Sequence, residues 1–126
     1  MAGFSLLEIL VAFVILSLSL ATVLGVFSTG LRAAARGEDY SRAVALAETK
    51  LAAMASADPL REGVEEGEFD DRYRWRTVTR APPWWTPPAG HPLRPYVVVV
   101  DVSWAEPGLK KAQSVSLTTL RLVSAQ

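Results

Sequence analysis

Glu8 is the only charged residue before Arg32, and it stands at the N-terminal edge of an apolar run that continues to Phe27. From Ile9 to Phe27 there are nineteen uncharged residues, and their only hydroxyls are on Ser17, Ser19 and Thr22. A bilayer core needs roughly 20 apolar residues in a helix, so Phe4–Phe27 is long enough to span one. Ser and Thr in such a helix can bond their own backbone carbonyls and need no outside partner. A carboxylate at the edge of such a helix is costly, which marks it as functional, with a partner to be named.

The rest of the chain bounds what the anchor carries. With 126 residues there is room for one small domain besides the span. The formal net charge is zero, which argues against general nucleic-acid binding, a function that leaves a basic footprint. There is no cysteine, so disulfides, Cys-based zinc sites and thiol catalysis are excluded. A conventional secretory signal fits poorly. Met1-Ala2-Gly3 has no basic side chain, and the apolar run exceeds the 7–15 residues typical of such a signal. The basic residues Arg32, Arg36 and Arg42 all follow the span. Taken alone, the positive-inside rule would place the C-terminal part in the cytoplasm.

All eight prolines lie at or after Pro59, so the first part of the chain has no strong helix breaker. Beyond Arg36 the pattern turns amphipathic: Tyr40, Ala43, Val44, Ala47, Leu51 and Met54 share one helical face. Glu38 and Arg42 are spaced to pair on the solvent side. The helix is expected from Phe4 to about Ala57, stopped by Asp58-Pro59. The acidic stretch from Asp58 to Asp71 reads as a solvated loop. It is followed by a basic stretch, Arg72, Arg74, Arg76, Arg80 and Arg94. Those two blocks can pair within one molecule or between molecules. Arginines alternate with Tyr73, Trp75, Thr77 and Thr79, the period of a strand with an aromatic face and an arginine face. Tyr96–Trp104, with four consecutive valines, reads as a central strand. A turn begins at Glu106-Pro107-Gly108. In Ser114–Val123, Val115, Leu117 and Val123 fall on one side, Leu120 and Leu122 on the other. The expectation is one long helix and at least three strands in an antiparallel sheet.

Residues 3 to 8, Gly-Phe-Ser-Leu-Leu-Glu, followed at once by the apolar run, resemble the processing site of type IV prepilins and type II secretion pseudopilins. The stretch from Gly3 to about Met54 looks most like the I-type minor pseudopilins of type II secretion. The resemblance implies cleavage by a prepilin peptidase between Gly3 and Phe4 and N-methylation of Phe4. It also implies that Glu8, fifth in the mature chain, pairs with the N-terminal amine of a neighbouring subunit. The absence of a basic residue in the leader departs from the family's usual pattern. The implied fold class is α+β and pilin-like, with a long N-terminal helix, transmembrane in its first half, packed on a small antiparallel sheet. The domains would be a leader at 1–3, a membrane half-helix at 4–27, an amphipathic half at 28–57 and a β-rich part at 58–126. The implied partners are the J, K and H minor pseudopilins, the major pseudopilin, the prepilin peptidase and the inner-membrane assembly platform. The implied location is the bacterial inner membrane, single-pass, with the C-terminal domain in the periplasm. A minor pilin of a type IV or competence pilus is the alternative within the class. A membrane-anchored periplasmic binding module that never assembles is the alternative outside it.

No catalytic, cofactor or metal site is legible. The acidic stretch has no D-x-D-x-D-G loop, and there is no G-x-S-x-G or phosphate-binding glycine loop. His91 is the only histidine and stands between Gly90 and Pro92. Trp84 and Trp85 lie in the proline-stiffened loop Pro82–Pro88. They are expected to fold back and cap the sheet, with the alternative that they anchor an interface.

Overall fold

The computed structural model describes residues 3–57 and 59–124. Met1 and Ala2 of the expected leader, and Asp58 of the expected helix stop, lie outside the described residues. The architecture is α+β. One helix, α1 (Leu6–Ala55), precedes four strands, β1 (Gly63–Glu68), β2 (Tyr73–Arg80), β3 (Leu93–Trp104) and β4 (Gln113–Ser124). The strands form one antiparallel meander in the order β1-β2-β3-β4. Contacts divide the chain into two units, one through Asp39 and one from Tyr40 onward.

In the first unit α1 is long and apolar enough to cross a membrane. Its hydroxyls are bound internally: Ser17, Ser19 and Thr22 donate to the carbonyls of Phe13, Ile15 and Leu18 at 2.8–2.9 Å. A lipid-facing helix needs that satisfaction, because hydrocarbon offers no hydrogen-bond partner.

In the second unit the last turns of α1 lie against the inner face of the sheet. Ala43 and Ala47 are 0% exposed there, among Leu60, Tyr73, Val98, Val100, Val102, Trp104 and Val115. Two alanines at i,i+4 make a shallow stripe that a flat valine surface can approach closely. Val44, Leu51 and Met54 pack at its margins, as their spacing predicts, while Tyr40 stays exposed with its ring edge-on to Trp104 at 6.4 Å. The strands alternate as their sequence does. Tyr73, Thr77 and Thr79 are buried, and Arg74, Arg76 and Arg80 are exposed.

Two expectations are corrected. The acidic stretch is not all solvated loop, because Gly63–Glu68 forms the edge strand β1. Its register sets Glu66 opposite Arg76 and Glu68 opposite Arg74. Opposite charges directly across a ladder favour strand pairing in a segment whose composition opposes it. Arg42 reaches Asp70 at 3.5 Å, in the loop between β1 and β2. The strand expected from Tyr96 begins earlier, at Leu93, and passes through Pro95. Pro95 faces Leu122 of β4, and β2 pairs with β3 only from Val97 onward, so no β2 residue lies opposite the proline to need its missing N–H.

The connections follow their turn chemistry. The Asp70 carboxylate accepts the backbone N–H groups of Arg72 (2.8 Å) and Tyr73 (2.9 Å), turning β1 into β2. Between β3 and β4 the Leu109 N–H donates to the Glu106 carbonyl at 3.2 Å. Pro107 and Gly108 (φ +88°) fill the two central positions, where this turn needs a fixed negative and then a positive φ.

Candidate functional site

The N-terminal site is built on the first turn of α1. Gly3, Phe4 and Ser5 precede the helix. The Ser5 hydroxyl accepts the Glu8 N–H at 3.2 Å, and the Ser5 carbonyl accepts the Ile9 N–H at 3.1 Å. Ser5 is therefore the N-cap and Glu8 stands three residues later, the Ser-x-x-Glu spacing of a capping box. A carboxylate in the first turn also meets the positive end of the helix dipole, worth about 0.3–1 kcal/mol at an exposed position. Phe4, Glu8, Ile9, Ala12, Phe13 and Leu16 line a shallow, mostly apolar groove of about 410 Å³. Glu8 thus lines an apolar groove, and its backbone is set by the turn that Ser5 starts.

Gly3 has no structural reason to be glycine. A Cβ placed there would meet nothing within 4 Å. Ser5 was missed by the sequence reading, although its spacing to Glu8 was the available signal.

The outer face of the sheet carries the second cluster. Arg76 reaches Glu66 at 3.4 Å and Arg74 reaches Glu68 at 3.3 Å. These residues, with Asp101, Ser103 and Ser114, line a polar recess of about 670 Å³. Its two ion pairs are exposed, so they are worth little in stability. Among the described residues no group of three or more His, Asp or Glu side chains is placed to hold a metal ion.

Trp84 and Trp85 do not line the recess on the outer face of the sheet. Trp84 is 72% exposed and does not cap the sheet. Trp85 packs edge-on against His91, with centroids 6.0 Å apart. Pro82 is fully buried, and the Trp85 N–H donates to its carbonyl at 3.1 Å. That anchored proline holds the loop so that the indole of Trp84 points away from the core. His91 is engaged within its own loop, its Nδ1 lying 2.8 Å from the Leu93 carbonyl oxygen.

An apolar N-terminal helix with a glutamate in its capped first turn, and an antiparallel meander covering the last turns of that helix, define a pilin-like protein. The chain is 33% identical over 136 residues to a protein of Xanthomonas campestris pv. campestris named type II secretion system protein I. That match covers 98% of this chain and 91% of the relative. The chain belongs to the type II secretion system protein I family. No profile of a known protein family matches it, and no solved structure does.

Proposed function

We propose that the chain is a minor pseudopilin that joins the tip of a periplasmic pseudopilus and supports protein export across the outer membrane. Its role is assembly, not catalysis. The observation that carries this reading is the N-terminal arrangement. An unconstrained Gly3 precedes Phe4, and Glu8 lines an apolar groove in the first turn of a bilayer-length helix.

In this reading a prepilin peptidase cuts between Gly3 and Phe4, and the new Phe4 amine is methylated. A small residue before the cut suits a protease site, and Gly3 is free to serve it because the fold asks nothing of that position. The mature chain rests in the inner membrane with its sheet in the periplasm. On extraction, Glu8 neutralises the amine of an adjacent subunit. The other minor pseudopilins, of J, K and H types, and the major pseudopilin are the neighbours. The peptidase and the assembly platform act on the chain transiently.

The Ser5–Glu8 cap favours one second reading, in which Glu8 only starts the helix of an anchored module that never assembles. Complementation separates the two. Cells lacking this chain should lose export of the system's cargo, the intact gene should restore it, and Gly3→Val should not. Export that is unchanged without the chain overturns the proposal.

A further inference from the structure

The two edges of the sheet are chemically unlike. β1 is short and reads Gly-Val-Glu-Glu-Gly-Glu. A short, charged edge is how sheets avoid stray pairing. β4 has no such protection. Among the described residues it pairs only with β3, runs twelve residues, and contains no proline and no carboxylate. Its single charge, Arg121, is directed to the end of α1, where it bonds the carbonyls of Met54 and Ala57. A free edge of this length presents a row of backbone donors and acceptors. Beside it, on the outer face, Leu120 and Leu122 are 52% and 59% exposed. Lys110 and Lys111, also exposed, stand where the chain enters β4.

We propose that β4 is a docking edge that takes an extended strand from a different subunit of the same assembly. That strand lays apolar side chains over Leu120 and Leu122 and brings a carboxylate to Lys110 and Lys111. Main-chain pairing supplies the affinity in such strand addition, and the flanking side chains supply the selection. The charge pattern decides against a second copy. β4 of another copy carries no carboxylate for the lysines. β1 of another copy carries three, but it covers half the edge and would set glutamates against the leucines. The inference rests on the pseudopilin reading and names the surface through which that assembly is made.

The chain has no cysteine, so one introduced thiol is a unique handle. Thr118→Cys and Leu120→Cys report on β4, and Glu66→Cys on β1. Full-length variants are produced in cells with the complete secretion system. They are labelled in membranes with a maleimide–benzophenone probe and photolysed, and the adducts are sequenced by mass spectrometry. The expected adduct joins position 118 or 120 to a β segment, bearing Asp or Glu, of another membrane-anchored subunit. The Glu66→Cys adduct should be roughly tenfold weaker, since an acidic, exposed edge resists burial. Adding Leu120→Lys and Leu122→Lys to Thr118→Cys should cut the adduct by a similar factor without changing the thermal midpoint. So should Lys110→Glu with Lys111→Glu. An adduct to a second copy of this chain, equal yield from β1, or yield indifferent to the leucine and lysine changes overturns the proposal. The N-terminal mass of the same samples separates the two levels. A processed chain with no β4 adduct sinks the docking edge alone, whereas an unprocessed chain sinks the pseudopilin reading and the edge with it.

Discussion

Arg121 closes the end of α1 from the far side of the sequence. Its Nη1 donates to the Met54 carbonyl at 2.7 Å and to the Ala57 carbonyl at 2.9 Å. The last turn of a helix leaves carbonyls without intrahelical partners, and α1 has no basic residue of its own there. A cation on β4 supplies what the helix lacks and ties the fourth strand to the packed end of α1.

Arg121→Met keeps most of the side-chain stem and removes both bonds. Hydrogen bonds to charged groups contribute about 1.5–3 kcal/mol, so stability should fall by roughly that amount. Arg121→Lys should recover part of it. Denaturant unfolding followed by tryptophan fluorescence measures the change, and an unaltered midpoint in the Met variant would rule out the cap.

Trp75 is held between Lys50 and Gly67. The Lys50 Nζ lies 3.5 Å from the indole centroid, and a Cβ on Gly67 would fall 2.5 Å from Trp75 Cζ2. Gly67→Ala should therefore destabilise by about 1–3 kcal/mol through overpacking. In a Trp75→Leu background the same change should cost much less, a coupling that a double-mutant cycle detects. Additive effects would show that the indole is not what excludes the methyl group.

Asp70 predicts an acid limb. The N–H groups of Tyr73 and Arg72, helped by the charges of Arg42 and Arg72, hold its carboxyl below the usual carboxylate range. The folded-state pKa is thus below the unfolded value of about 3.9. Its stabilisation is fully present above that value and is lost as pH falls through the folded pKa. Asp70→Asn keeps an acceptor oxygen but not the charge, so its thermal midpoint should fall less steeply between about pH 5 and 3. Parallel curves for the two proteins would contradict this.

Much of the fold was legible because its signals are local. The alanine-centred stripe from Ala43 to Met54 shows in the helical period, and β2 and β4 show in strict alternation. β1 is not legible for a physical reason: glutamate and glycine are poor strand formers, and the β2 partners of that segment, with Arg76 and Arg74 opposite Glu66 and Glu68, are set by a ladder the sequence does not show. The role of Arg121 could not be read, since its acceptors are 64 and 67 residues away. At the N-terminus Gly3, Phe4 and Glu8 were legible as a pattern. Ser5 was available in the same six residues, as the hydroxyl three positions before the glutamate, and was overlooked.

Glu8→Leu should leave processing and membrane insertion intact, because removing the charge makes the helix more apolar. Assembly should suffer instead, since an unpaired charge left buried costs about 3–5 kcal/mol. Crosslinking to tip subunits and cargo export should both decrease. Full export with unchanged crosslinking would leave Glu8 as a helix-starting residue only.

The most direct measurement is the intact mass of the full chain recovered from the membranes of its own cells. The expected species has lost Met1, Ala2 and Gly3, begins at Phe4 and carries one added methyl group on that amine. A chain that still begins at or before Gly3, with no methyl group, would contradict the pseudopilin reading.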